Sequence, residues 1–299
     1  MDYTVLLFYK YVTIKDPEAL MLYVRGLAEG LSLKGRAIIA EEGINMTFEG
    51  LSEDTERFVA VFTQDKRFKD IQIKRSAGNG KAFPKLSVKV RDEIVGTRFP
   101  KEIDPRKKTG TYLAPEKLKE WFQKSGESAQ EDFVIVDMRN DYEFWSGHFK
   151  NSIDPGMQAS RDLPQAIEKL KIHQDKKILT VCTGGVRCEK MSAFLLANGF
   201  KDVYQLDGGI HSYMEKYPGE DFVGTLYTFD NRDTMHFGGD REVVGTCRLC
   251  GEKTEDYYNC ANDECHRHFL ACTDCAPGEH VFCSDACQTS AVRLTVSKR

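Results

Sequence analysis

Eight cysteines fall within the segment from Cys247 to Cys287, spaced C-x2-C-x9-C-x4-C-x6-C-x2-C-x7-C-x3-C. Four pairs of thiolates are enough for two tetrahedral zinc sites. Cys247, Cys250, Cys260, Cys265, Cys272, Cys275, Cys283 and Cys287 are therefore the predicted ligands of about two structural zinc ions. An iron–sulfur cluster or unligated thiols are the competing readings. Disulfides are disfavoured in a chain without a secretory signal. A cross-braced pairing would join the first pair with the third and the second with the fourth; a sequential pairing would join neighbours. The thiolate count needs no help from His266, His268 or His280. So short a segment builds little core, and metal binding would supply its folding energy.

Composition bounds the rest. Apolar residues make up 41% and charged residues 29%, ordinary values for a soluble globular protein. No apolar run approaches the roughly 20 residues needed to cross a bilayer, and Met1-Asp2-Tyr3 lacks a basic leader region. A cytoplasmic protein without a membrane partner is expected. The net charge of −4 argues against a general nucleic-acid coat. Yet Lys66 to Lys108 holds 14 Lys/Arg against 5 Asp/Glu, an excess of nine positive charges. That run is either a solvated linker or a phosphate-contact surface, with Lys74, Arg75, Lys81, Lys85 and Lys89 as candidate RNA-binding residues.

The length of 299 residues suggests two or three domains. Thr4 to Val12 reads as a strand. Asp16-Pro17 opens a helix to about Leu31 with Leu20, Tyr23, Val24, Leu27 and Leu31 on one face. Strands follow at Gly35 to Ala40 and Ile44 to Phe48. A helix capped by Ser52 runs to Phe62 with Phe58, Val61 and Phe62 inside, followed by strands at Ile71 to Lys74 and Leu86 to Val90. The order βαββαβ describes a ferredoxin-like unit over residues 1–96. Residues 97–110 form a basic linker, residues 111–225 a second α/β unit, and residues 226–299 the cysteine-rich module. In the second unit, short apolar strands at 133–136, 178–181 and 203–206 alternate with helices at 115–122, 163–170 and 189–197. That alternation predicts a doubly wound parallel sheet.

Ligands of such sheets bind beyond the carboxyl ends of the strands, where Cys182-Thr183-Gly184-Gly185-Val186-Arg187-Cys188 falls. Two glycines turn the chain, and the backbone N–H groups and helix start beyond them make an anion cradle. A thiol there has a lowered pKa, and Arg187 adds a fixed positive charge. Cys182 is the candidate nucleophile. Cys188 is either a packed small residue or a resolving thiol. The six residues from Cys182 to Arg187 make a loop too narrow to encircle a phosphate, which ranks a phosphatase low.

Three segments together resemble the rhodanese family: Asp137-Met138-Arg139 with Glu143-Phe144 and Gly147-His148, the Cys182 loop, and Leu206-Asp207-Gly208-Gly209-Ile210. The resemblance implies a rhodanese-like catalytic domain over 111–225, with Cys182 able to carry a persulfide and Gly184, Gly185 and Arg187 shaping its anion pocket. Asp137 and Arg139 are supporting residues that brace the sheet edge. Adding Ala40-Glu41-Glu42-Gly43-Ile44-Asn45 and the cysteine-rich tail, nearly the whole chain resembles the oxygen-dependent tRNA uridine hydroxylases.

That resemblance implies hydroxylation of wobble uridine to 5-hydroxyuridine. Molecular oxygen is the implied co-substrate, the anticodon loop of tRNA the implied partner, and an unidentified electron donor is required. No haem or flavin motif accompanies it. Attack of a cysteine on C6 of uracil and a persulfide route both fit the loop. The alternatives are a sulfurtransferase moving sulfane sulfur from Cys182 to a thiol or RNA, and a non-catalytic zinc- and RNA-binding scaffold.

Overall fold

The computed structural model describes residues 2–125, 132–238, 242–278 and 280–297. The amino-terminal unit contains β1 (Tyr3–Tyr11), α1 (Pro17–Gly30), β2 (Lys34–Ala40), β3 (Gly43–Leu51), α2 (Ser52–Phe62), β4 (Ile73–Gly78) and β5 (Leu86–Val90). The sheet order is β4-β1-β3-β2-β5, in which β5 adds parallel to β2 and the other pairs are antiparallel. The first four strands give the ferredoxin-like order. Strand alternation splits the side chains. Leu6, Phe8, Ala37, Ile39, Met46, Phe48 and Val88 meet Leu20, Val24, Phe58 and Phe62 of the helices in one core. The opposite face is not covered by the helices of this unit.

Several local expectations are corrected. Leu51, not Ser52, is the capping position of α2, and Ser52 opens the helix with its hydroxyl on Asp2 O. Tyr23 and Val61 are exposed, because the narrow stripe facing the sheet is already filled by Leu20, Val24, Phe58 and Phe62. The fourth strand begins at Ile73 rather than Ile71, since Phe68 and Ile71 are used in a turn that covers the core.

The second unit carries β6 (Thr111–Leu113), α3 (Pro115–Ser125), β7 (Phe133–Asp137), α4 (Asp141–Ser146), β8 (Gly147–Phe149), α5 (Leu163–Leu170), β9 (Lys177–Val181), α6 (Val186–Ala197), β10 (Asp202–Leu206) and α7 (Gly209–Lys216). Its parallel sheet has the order β6-β10-β9-β7. Val134, Val136, Ile178 and Val203 pack against α5 and α6; Phe133, Ile135, Leu179 and Leu206 pack against α3 and α7. Burial on both faces explains why these strands read as unbroken apolar runs.

Residues 97–110 are more than a solvated linker. Thr97 is buried, Phe99 stacks on Phe194 with ring centroids 4.4 Å apart, and Thr109 Oγ1 donates to Glu189 O at 2.8 Å. The carboxyl-terminal part has β11 (Phe222–Gly224), β12 (Leu226–Tyr227), β13 (Thr234–Met235), β14 (Tyr257–Asn259), β15 (His268–Leu270) and α8 (Asp285–Ser297). Among the described residues, no helix is long and apolar enough to cross a membrane.

Candidate active site

Cys182 follows β9 directly and is fully buried. The loop turns at Gly185, whose φ of +103° suits only glycine, and α6 starts at Val186 rather than Glu189. A Cβ on Gly185 would lie 2.7 Å from Tyr9 Oη. The loop is braced from behind by the start of α7: Ile210 N donates to Cys182 O at 2.9 Å and His211 N to Thr183 O at 3.0 Å. Gly209 allows this approach, since a Cβ there would meet Cys182 O at 2.5 Å.

Gly185 N donates to Cys182 Sγ at 3.2 Å. Burial pushes the Cys182 thiol up. The Cys188 thiol, the charge of Arg187 and the backbone N–H groups of Cys188 and Arg187 outweigh it and bring the thiol down to about 5. Cys188, also buried, is driven the other way, first by burial and then by its hydrogen bond to Cys182 and the charge there. The two thiols thus divide one proton between them, with the anion on Cys182.

Arg187 is not a free anion ligand. Its Nη1 and Nη2 donate to the two carboxylate oxygens of Glu143 at 2.5 and 2.8 Å, and Nη2 also reaches Thr183 Oγ1 at 3.1 Å. Glu143 is a site residue that the sequence reading left in a signature without a role. Asp137 and Arg139 form a buried bidentate pair at 2.6–3.0 Å, and Arg139 also donates to Gly147 O. His148 stacks on Phe144 and bonds its carbonyl.

The free face of the amino-terminal sheet lies over this loop. Tyr11 Oη donates to Val186 O at 3.2 Å, Tyr9 Oη to Glu189 Oε1 at 3.3 Å, and Lys74 Nζ to Gly184 O at 3.0 Å. Lys190 on α6 is gripped by Glu42 and Glu93 of the amino-terminal unit, both at 2.8 Å. Between the two units lies a cavity of about 290 Å³. Val5, Leu7, Ile38, Asn45 and Thr47 line it from the sheet, Thr183 and Gly184 from the loop, and Phe229 and Arg232 from the segment after β12. His211 also lines it; it is buried, and its Nδ1 lies 3.4 Å from Glu215 Oε2 without a formed hydrogen bond. Cys182 sits behind Thr183 and is not itself part of the lining.

The candidate RNA-binding residues divide. Lys74 is only 8% exposed and faces the Cys182 loop. Arg75 is exposed but paired with Glu56 at 2.6 and 3.0 Å. Lys81, Lys85 and Lys89 are exposed. Lys89 pairs with Ile38 in the β2–β5 register and so shares the sheet face that lines the cavity.

The eight tail cysteines gather as two sets, Cys247–Cys250–Cys272–Cys275 and Cys260–Cys265–Cys283–Cys287, each with all Sγ atoms within 4.8 Å of one another. This is the cross-braced pairing. Sγ separations of 3.6 Å (Cys250–Cys272), 3.6 Å (Cys265–Cys283) and 3.5 Å (Cys283–Cys287) are too long for disulfides. They match the edge of a tetrahedron with metal–sulfur bonds of about 2.3 Å. Each set can hold a metal ion, and four thiolates suit zinc. The module abuts α4: Tyr257 Oη donates to Tyr142 O at 2.8 Å, and Arg267 lies 3.6 Å from Asp141. It therefore supports the short helix that carries Glu143.

A parallel sheet with a cysteine at a strand end, set on a glycine turn and backed by an arginine–glutamate pair, defines a rhodanese-like protein, here with a ferredoxin-like cover and a two-cluster tail. Family models agree: residues 3–94 match the UPF0176 acylphosphatase like domain, 115–216 the Rhodanese-like domain, and 223–288 the Rhodanase C-terminal domain. The chain belongs to the tRNA uridine(34) hydroxylase family. It is 41% identical to the tRNA uridine(34) hydroxylase of Staphylococcus carnosus, over 97% of this chain and 90% of the relative. It is 43% identical to that of Enterococcus faecalis, over 90% and 85% respectively. A rhodanese-related protein of known structure from Thermoplasma volcanium is 26% identical over 38% of this chain and 97% of its own, with a TM-score of 0.30.

Proposed function

We propose that this protein hydroxylates the wobble uridine of tRNA, position 34, to 5-hydroxyuridine with molecular oxygen. The observation that carries the reading is the 41–43% identity, over nine-tenths or more of the chain, to proteins named tRNA uridine(34) hydroxylase. One oxygen atom enters the C5–H bond and the other leaves as water, so two electrons and two protons come from a reductant that remains to be identified. The splayed bases of an anticodon loop suit a cavity of about 290 Å³ beside the Cys182 loop.

Cys182 is the residue proposed to carry the chemistry. Two roles are proposed for its sulfur, and each requires that sulfur and base meet past Thr183 and Gly184. Its thiolate adds to C6 of uracil, which loads electron density onto C5, and it leaves again once oxygen has replaced the C5 proton. Alternatively, a sulfane-sulfur donor transfers its outer sulfur to the Cys182 thiolate and departs as its own thiolate, and the resulting persulfide, reaching outward by one S–S bond of about 2 Å, makes the same addition to C6 and leaves again. The backbone N–H groups hold the anion in either case, and the charge of Arg187 favours it from within its pair with Glu143. Two zinc ions in the tail would be structural, fixing α4 and the segment that closes the cavity.

The test is mass spectrometry of tRNA nucleosides from cells lacking the protein, restored with wild type or Cys182→Ala. 5-Hydroxyuridine should vanish, return with wild type, and stay absent with the variant. The purified reaction should take its label from isotopic molecular oxygen. Unchanged nucleosides, full activity of Cys182→Ala, or label from water would overturn the proposal. A thiolated product formed without oxygen would make the protein a sulfurtransferase.

A further inference from the structure

Asn45 stands on β3, on the sheet face that lines the cavity. Its amide is pinned at one end: Nδ2 donates to Ile94 O at 3.2 Å. Ile94 is itself fixed, because its N–H donates to Glu42 Oε1 at 2.8 Å. Glu42 in turn holds Lys190 of α6 at 2.8 Å. An amide whose nitrogen is engaged by a carbonyl keeps its oxygen as the free end. Among the described residues no protein group donates to that Oδ1. The cavity therefore presents a hydrogen-bond acceptor of fixed orientation, set among apolar walls from Val5, Leu7 and Ile38.

We propose that Asn45 reads the target base as uracil, its Oδ1 accepting the N3–H. The proposal rests on the reading above, in which the cavity receives the base. Uracil carries a proton at N3; cytosine presents a lone pair there and would face the acceptor with no proton between them. Rings of the same size are thus separated by one hydrogen bond rather than by shape. A freely turning amide would offer its NH2 to cytosine and lose this choice; Ile94 O prevents the flip. The chain from Lys190 through Glu42 and Ile94 also ties the reading residue to the helix that follows Cys182. The Ala40–Asn45 motif is accounted for on this basis: Glu42 and Asn45 are the two ends of one clamp.

The test compares tRNA transcripts carrying uridine, cytidine or 3-methyluridine at position 34, with wild type, Asn45→Ala and Asn45→Ser. Wild type should turn over uridine and reject both other bases. Asn45→Ala should lower kcat/KM for uridine roughly 10- to 100-fold and shrink the preference for uridine over 3-methyluridine by a similar factor. Asn45→Ser should fall between the two, and zinc content should match wild type in folded protein. An unchanged uridine preference in both variants would overturn the assignment while leaving the hydroxylase standing. So would a wild type that accepts 3-methyluridine as readily as uridine, a measurement that needs no variant to fold. A wild type that hydroxylates none of the three would remove both readings.

Discussion

Lys74 on β4 and Gly184 in the Cys182 loop are joined by a hydrogen bond of 3.0 Å, so the ammonium of one domain rests on the backbone of the other's reactive loop. Among the described residues it has no carboxylate within ion-pair reach. Burial lowers its pKa, while Cys182, Asp207 and Glu215 pull it back. A cation so placed serves the anion at Cys182. Lys74→Met should cut kcat at least about tenfold and move the acid fall of Cys182 alkylation to higher pH. Steady-state kinetics at several salt concentrations decide the point. A raised KM with a smaller salt slope and unchanged kcat would return Lys74 to the role of a phosphate contact.

The pH profile of Cys182 follows from its lowered pKa. The reactive form is the thiolate, so normalised alkylation of Cys182 should be flat from pH 8 to pH 7 and fall only on acidification toward about 5. An ordinary thiol, with a pKa of about 8.5, would already be losing rate across that window. Arg187→Met removes one of the groups that favour the anion and should move the fall to higher pH. A profile centred above 8 in the wild type would contradict the described loop.

Gly185 is the backbone position least able to change. Alanine there meets both a φ of +103° and Tyr9 Oη at 2.7 Å. Gly185→Ala should destabilise the fold by about 1–3 kcal/mol and abolish modification. Adding Tyr9→Phe should restore only part of the stability, since the dihedral strain remains. Thermal denaturation of the single and double variants measures the split.

Two metal ions per chain are expected from the two cysteine sets. Elemental analysis should find about two zinc ions. Cys250→Ser and Cys272→Ser should each weaken the same ion, and Cys265→Ser the other, as the cross-braced pairing requires. A sequential pairing would instead couple Cys250 with Cys265. Chelation should loosen α4 through Tyr257 and Tyr142, and with it the Glu143–Arg187 pair.

Lys81, Lys85 and Lys89 are the exposed lysines among the five candidate RNA-binding residues. Neutralising all three should raise the KM for tRNA at low salt and lower the salt slope by about one for each phosphate that is no longer neutralised. Reactivity of Cys182 toward a small alkylating agent should stay the same. Unaltered tRNA binding would place the RNA-binding surface elsewhere.

The sequence by itself determined the parts whose chemistry is local. Apolar strand runs and helical patterns marked the βαββαβ unit, and the all-apolar runs at 133–136 and 178–181 marked a sheet buried on both faces. The strand–Cys182–Gly–Gly–helix order predicted the reactive loop, because a turn, a helix start and a thiol beside them are neighbours along the chain. Paired cysteine spacing predicted two metal sets but left their partners open, since thiolates that share an ion are held together by folding rather than by spacing.

Only the tertiary structure decided what faces the loop. A βαββαβ unit has one covered and one free sheet face, and nothing in its sequence states what the free face meets. Docking on the second unit turned Lys74 from a surface charge into a buried one, brought Tyr9 and Glu42 to α6, and set Asn45 in a cavity wall. Arg187, read from the sequence as a fixed positive charge beside the thiol, is bound by Glu143 on a separate helix. Contacts between residues 44 to 180 positions apart are fixed by the burial of whole surfaces, and local propensity carries no record of them.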